Sequence, residues 1–312
     1  MVFTKEIECY LQYCKAQKEL DDKTVRAYRA DLSQFAAIIG TDMIQEANKE
    51  KINQYLVYIH GQYKQKTVKR KIASVKAFFN YLEEEERIEI NPMHKVRTKF
   101  KEEIVLPKII PKNVIEQMLG LLYEELYSGT CTAWQKKIVL RDIAVIEMLF
   151  STGIRISELC HLQNKYFDLQ NGGLCIQGKG GKERYIEIGS REVLDLLLMY
   201  YDCFRKDIEQ SGYFFVNRYG ERLSEQAARR MIHKYTEQMH ANMNITPHMF
   251  RHSFATYLME ADVNIRYIQK MLGHSSITTT QIYTYVAMEK EREILRTKHP
   301  RNGMRVGKKV DM

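Results

Sequence analysis

Proline is scarce in this sequence, 5 residues in 312, so the chain holds no Pro-rich linker, and no low-complexity tract is visible. Its six cysteines, at positions 9, 14, 131, 160, 175 and 203, include no C-x-x-C pair and fall mostly within apolar patterns. They read as reduced, buried thiols rather than as a disulfide framework. No secretory h-region opens the chain, and no apolar run approaches the roughly 18 residues of a membrane span. The expectation is a cytoplasmic protein with no membrane partner.

What is present points to helices and to a polyanion. Hydrophobic residues make up 45% of the chain, too many for disorder to dominate. The length fits two domains of about 100 to 200 residues each. Lys and Arg number 48 against 39 Asp and Glu, a formal charge of +9. A surplus of that size favours an anionic partner only where the charge is clustered.

Residues 1–96 carry four successive apolar patterns at three- and four-residue spacing, the mark of amphipathic helices. Ile7, Tyr10, Leu11 and Cys14 form the first; Val25, Tyr28, Leu32, Phe35, Ala36 and Ile39 the second. Ile52, Tyr55, Leu56 and Ile59 form the third, and Val68, Ile72, Val75, Phe79 and Leu82 the fourth. Thr24 and Thr67 are the expected N-caps of the second and fourth, where a side-chain oxygen accepts an otherwise unpaired amide. Asn91-Pro92 should lie beyond the fourth helix, because Pro disfavours helical geometry in the residue before it. Lys64, Lys66, Lys69, Arg70, Lys71 and Lys76 crowd the start and polar face of that helix. There they could neutralise phosphates along a duplex, or simply form a solvated face. Glu83 to Glu86 at its other end oppose the macrodipole, which implies a tertiary contact there.

Residues 97–111 show no helical period, contain two prolines and read as a linker. A larger domain is expected over 112–300, followed by a basic tail over 301–312. Its helical patterns run through Val114, Ile115, Met118, Leu119 and Leu122, then Val139, Ile143, Ile146 and Leu149 to a break at Thr152-Gly153. Arg155 follows immediately, in G-I-R-I-S-E-L. From Tyr166 to Ile188 the period becomes two, around Gly178-Lys179-Gly180-Gly181-Lys182, which predicts an antiparallel sheet of two or three strands with both lysines at a hairpin tip. A helix from Arg191 to about Phe204, a short strand Tyr213 to Val216 and a helix capped by Ser224 come next. On that last helix Arg229, Arg230 and Lys234 lie opposite an apolar stripe, an arrangement suited to a DNA groove or to plain solvent. The fold class is mainly α, a four-helix domain followed by a larger helical domain with a small antiparallel β-sheet.

Three further segments carry chemistry. His248 and His252 are four apart, the spacing of two zinc ligands on one helix, but Met249 stands where a metalloprotease helix has Glu, so no metal site is expected. His248 and Arg251 are three apart and can face one site, a pairing suited to phosphate. In the stretch from Met271 to Val286, His274 precedes a hydroxyl-rich run, with Tyr283 nine positions on and Tyr285 beyond it.

Taken in order, G-I-R-I-S-E-L, G-K-G-G-K-E-R, H-M-F-R-H-S-F-A-T and L-G-H-S-S-I-T-T-T-Q-I-Y-T resemble the tyrosine recombinases, the phage integrase family, nearest to its Xer and simple integrase types. The resemblance covers essentially the whole second domain, and the first is similar to the family's SAM-like core-binding domain. It implies a DNA breaking-rejoining fold in which Arg155 and Arg251 clamp the scissile phosphate and His274 adds a donor. Tyr283 would be the nucleophile, His248 would assist its deprotonation, Lys179 would protonate the leaving oxygen, and Glu158 would orient the site. Lys182 and Tyr285 are alternatives for the Lys179 and Tyr283 roles. Arg suits such a clamp because it is always charged and donates paired hydrogen bonds to phosphate. No cofactor or metal is implied. The implied partners are double-stranded DNA with short inverted core sites, three further copies in a tetramer joined by exchange of the C-terminal segment Ala287 to Leu295, and in some systems a second, heteromeric recombinase. The chain begins almost directly with the helical bundle, which favours a recombinase without an arm-binding domain. Competing readings are a type IB topoisomerase, a non-catalytic DNA-binding regulator and a zinc hydrolase using His248, His252 and His274.

Overall fold

The four apolar stripes of the N-terminal region each fold as a helix in the computed structural model, whose described residues are 1–96, 108–178 and 183–273. The chain divides into two compact units, Met1–Glu103 and Ile104–Met312, each with its own core. Residues 97–107, most of the expected linker, lie outside the described residues.

In the first unit α1 (Phe3–Ala16), α2 (Asp22–Ile39), α3 (Lys49–Gln62) and α4 (Gln65–Glu84) bury the expected faces. Val25, Tyr28 and Ala36 are only partly buried. Aromatic rings fill the centre, Phe35 meeting Tyr55 edge-on at 4.8 Å, a geometry favoured by the ring quadrupoles. The expected caps differ. Asp21 caps α2 by accepting the Thr24 amide at 2.8 Å, and α4 starts after Lys64 with no side-chain cap. Asp competes at least as well as Thr for an N-cap, so Thr24 and Thr67 fall inside their helices. At the far end of α4 one member of the acidic run, Glu83, is held by side-chain contacts, while Glu84 to Glu86 are exposed. Glu83 accepts the Asn91 amide at 3.1 Å and faces His94 at 3.5 Å.

The second unit is built around α6 (Ala133–Thr152). Val139, Leu140, Ile143, Ala144, Val145, Ile146, Met148 and Leu149 are all buried, so this helix is apolar on nearly every side, as a central helix must be. Against it pack α5 (Lys112–Tyr127), α8 (Arg191–Ser211), α9 (Glu225–Gln238) and α10 (Pro247–Glu260). Thr132 and Gln135 form a capping box at its start. After α6 come α7 (Ile156–Cys160) and the antiparallel sheet of β1 (Phe167–Asp168), β2 (Gly173–Gln177) and β3 (Glu183–Glu187), in that order. Cys175 faces Tyr185 across β2 and β3. The last described helix, α11 (Ile265–Leu272), packs on α10 through Ala255, Met259, Ile268 and Leu272.

Two expectations change here. The helix starting at Arg191 runs on to Ser211 and stops at Gly212, whose φ of 74° suits a residue without a Cβ. The segment Tyr213 to Val216 is no strand; it makes only single bridges, Gln163 to Tyr213 and Val216 to Arg222. Phe214, Phe215 and Val216 are buried consecutively; the Phe214 amide donates to the Leu162 carbonyl, the Phe215 carbonyl accepts the Leu223 amide, and the hydroxyl of Tyr200 serves two further backbone groups. That hydroxyl donates to the Phe214 carbonyl and accepts the Val216 amide, both at 3.0 Å. Among the described residues no helix is long and apolar enough to cross a membrane.

Candidate active site

The break between α6 and α7 organises the site. Gly153 closes α6 at φ 61°, and a Cβ there would lie 2.5 Å from Phe254 and 3.0 Å from Leu272. Only glycine allows both the left-handed turn and the close approach of α10 and α11. Two residues later Arg155 precedes the first turn of α7, and Glu158 folds back onto it. The Glu158 carboxylate accepts the Arg155 amide at 2.8 Å and Nη1 at 2.7 Å.

A third residue completes this arrangement. Arg184, on β3 just past the hairpin, donates Nη1 and Nη2 to the two oxygens of Glu158 at 3.0 and 2.7 Å. Its Nε donates to the Met271 carbonyl at 2.8 Å. The side chains of Arg184 and Glu158 are 10% and 7% exposed, against 37% for Arg155. Burial opposes ionisation of Glu158, but the Arg184 hydrogen bonds and those of Arg155 outweigh it, so the carboxyl titrates below an ordinary glutamate. With four donors on two oxygens, Glu158 is a fixed anion and has no spare lone pair for proton transfer.

Arg251 comes from α10 and is buried. It donates Nη1 to the Gly153 carbonyl at 2.9 Å and Nη2 to the Leu272 carbonyl at 2.5 Å. Both acceptors lie at helix C-termini, the negative ends of the α6 and α11 dipoles, which offset the desolvation of a buried cation. His248 is exposed in the first turn of α10, and His252, one turn on, is half-buried. Burial lowers the His252 pKa, and electrostatic interaction with His248 and Arg251 lowers it further. Arg155, Arg184 and Arg251 against Glu158 sum to a net charge of +2 among these four groups, an environment suited to an anion.

The geometry thus joins three expected residues, Arg155, Glu158 and Arg251, through the Gly153 turn. Lys179, Lys182, His274, Tyr283 and Tyr285 lie outside the described residues. Arg184 was not among the expected site residues. Its signal was its place in β3, where strand alternation sets it on the same face as buried Ile186.

The basic residues sort by environment. On α4, Lys64, Lys66 and Arg70 are exposed, Lys69 and Lys76 half-exposed. Arg70 is tied to buried Asp31. Lys71, expected on the polar face, is instead buried; it bonds Asp31 at 3.0 Å and lies over the Tyr63 ring at 4.8 Å. Asp31 attracts it inward because that carboxylate, itself buried, needs donors, and Ser74 supplies another at 2.8 Å. On α9, Arg229, Arg230 and Lys234 are exposed, with Arg229 bonded to Glu225 at 2.7 Å. Tyr235 anchors α9 to α6 by donating to buried Asp142 at 3.1 Å.

Comparison with known proteins points the same way as the motifs. Residues 121–290 match the model described as the phage integrase family, and residues 7–86 match its N-terminal SAM-like domain. A protein of Agathobacter rectalis named tyrosine recombinase is 50% identical over 95% of this chain and 96% of its own. The tyrosine recombinase XerC of Natranaerobius thermophilus is 31% identical over 95% of this chain and 99% of its own. In fold the chain is similar to the XerH site-specific recombinase in a post-cleavage complex on palindromic difH substrate. That likeness has a TM-score of 0.73 at 22% identity, over 92% of this chain and 83% of that one.

Proposed function

The chain belongs to the phage integrase family of tyrosine recombinases, and on that premise we propose that it cuts and rejoins DNA at specific sites through a 3′-phosphotyrosine intermediate. The observation that supports this most directly is the convergence of Arg155, Glu158 and Arg251 on the Gly153 turn. Cleavage of a phosphodiester gathers negative charge on the nonbridging oxygens, and fixed guanidinium donors stabilise it. Arg155 and Arg251 are assigned that task, with His274 as a further donor. The Tyr283 phenol, whose ordinary pKa is about 10, attacks phosphorus as His248 takes its proton. The bond to the 5′ oxygen breaks, and Lys179 protonates that oxygen. A second DNA end then reverses the step: its 5′ hydroxyl attacks the phosphotyrosine and frees the phenol. The energy of the broken bond is retained in the covalent link.

The substrate in this reading is duplex DNA with short inverted core sites, bound along α4 by Lys64, Lys66, Lys69, Arg70 and Lys76, and along α9 by Arg229, Arg230 and Lys234. Four copies act together on two duplexes in the cytoplasm, linked through the segment Ala287 to Leu295, with a second recombinase as an alternative partner. The biological outcome is integration or excision of a mobile element, or resolution of DNA multimers.

A nicked suicide substrate tests the reading. Wild-type protein accumulates a covalent DNA adduct, and Tyr283→Phe does not. Adduct formation by Tyr283→Phe would move the nucleophile elsewhere, with Tyr285 the first candidate. Relaxation of supercoils by a protein that never pairs two sites would favour a topoisomerase instead.

A further inference from the structure

We propose that Arg184 is a positioning residue, a strut that fixes the Arg155 turn, the start of β3 and the end of α11 in one arrangement. The inference rests on the phosphate-site reading above and adds a residue that reading does not use. Arg184 is the one side chain among the described residues that bonds both Glu158 and the α11 terminus. It leaves β3 immediately after the segment holding Lys179 and Lys182, and it grips Met271, three residues before His274. On its other side it holds the carboxylate that orients Arg155. Three segments assigned to the chemistry are thereby tied through one guanidinium.

The choice of arginine follows from its shape. A planar fork satisfies both carboxylate oxygens while Nε remains for a carbonyl at an angle, and the single ammonium of lysine cannot reach all three acceptors. The surroundings are fitted to it. A Cβ on Gly273 would come within 3.0 Å of the Arg184 side chain, so the chain passes close over the guanidinium where a larger residue would displace it. Arg184 has both its ends occupied by protein and is 10% exposed. Its proposed action is through Glu158, which orients Arg155, and through the α11 terminus, the two groups its three nitrogens hold.

The test uses the full chain on a nicked suicide duplex and measures single-turnover adduct formation, DNA affinity and melting temperature for Arg184→Gln, Arg184→Lys and Glu158→Gln/Arg184→Gln. Misplacing groups by about 1 Å costs on the order of a hundredfold in rate, so Arg184→Gln should lose roughly that much in adduct rate and keep its DNA affinity. Arg184→Lys retains the ion pair without the fork and should fall between the two. Without Arg184, Glu158 loses its main stabilising donor and titrates at higher pH. The adduct rate of Arg184→Gln should then fall at the acid end of a pH profile, and the double variant should lack that limb. Equal rates for wild type and Arg184→Gln would overturn the proposal, as would a common loss of rate, affinity and melting temperature across all three variants without the acid limb. Should Arg184→Gln not fold, Arg184→Lys alone decides: a wild-type rate refutes the strut. Failure of wild-type protein to form any adduct would instead sink the phosphate-site reading, and the inference with it.

Discussion

The buried guanidinium of Arg251 donates to the carbonyl oxygen of Gly153 at 2.9 Å, so the residue assigned to clamp phosphate also closes the C-terminus of α6. Its other hand closes α11. On that assignment structure and chemistry share one group, and its removal should be felt in both.

Arg251→Ala should leave two buried carbonyls without that donor, each unsatisfied acceptor costing about 1 to 3 kcal/mol. Arg251→Lys replaces a two-handed fork by a point charge and should keep at most one of the bonds. Loss of a positioned donor lowers the rate of charge-developing steps by about 10² to 10³. Urea unfolding and single-turnover cleavage, run on the same preparations, should show Arg251→Lys folded yet slower by roughly that factor. A lysine variant that cleaves like wild type would remove Arg251 from the clamp.

Gly153→Ala should destabilise the second unit twice over. The φ of 61° is strained for any L side chain, and the added carbon would lie 2.5 Å from a ring atom of Phe254. Overpacking of this kind costs about 1 to 3 kcal/mol, with the backbone penalty in addition. Phe254→Leu in the same chain should relieve the overpacking and leave the backbone part, so the double variant should melt above Gly153→Ala. Additive losses would show that the close contact is not the cause.

How much of this was legible in the sequence follows from the range of each interaction. The helix faces of α1 to α5 repeat their apolar residues every turn, so local periodicity exposes them. The Gly153 break with Arg155 and Glu158 beyond it is local in the same sense. Arg184 bonds residues 26 and 87 positions away, and Asp31 reaches Lys71 across 40. No window along the chain contains both partners. Lys71 misled for that reason: on its own helix it belongs to a basic face, and only α2 brings the buried carboxylate that turns it inward. The segment from Tyr213 to Val216 misleads differently, because burial in series looks alike whether a sheet or isolated bonds from Leu162, Leu223 and the Tyr200 hydroxyl satisfy the backbone.

The His252 imidazole gives the second unit a pH dependence with a definite sign. Burial, then electrostatic interaction with His248 and Arg251, depresses its folded pKa, while the unfolded chain titrates near the ordinary value of about 6.5. Between the two values the unfolded state binds more protons, so stability rises with pH. The contribution of His252 is therefore complete above about pH 6.5 and is lost as pH falls through the depressed folded value. Melting curves from pH 5 to 8, read against His252→Gln, should show a shallower acid-side slope in the variant. An unchanged slope would place the titration elsewhere.

On α4 the exposed and buried cations should separate in a single experiment. Asp31→Asn leaves Lys71 and Arg70 without their carboxylate, and Lys71 is only 7% exposed at its side chain. Breaking a buried pair by removing one partner costs about 3 to 5 kcal/mol, so this variant should unfold well below wild type. Lys64→Ala and Lys66→Ala remove exposed charges and should leave the melting temperature unchanged. If these two lysines sit on phosphates, each loss lowers the slope of log affinity against log salt by about 0.9. The double variant should lower it by roughly twice that, uniformly for cognate and unrelated duplexes, because phosphate contacts carry no sequence information. An unchanged salt slope would make the start of α4 a solvated face and leave DNA contact to other residues.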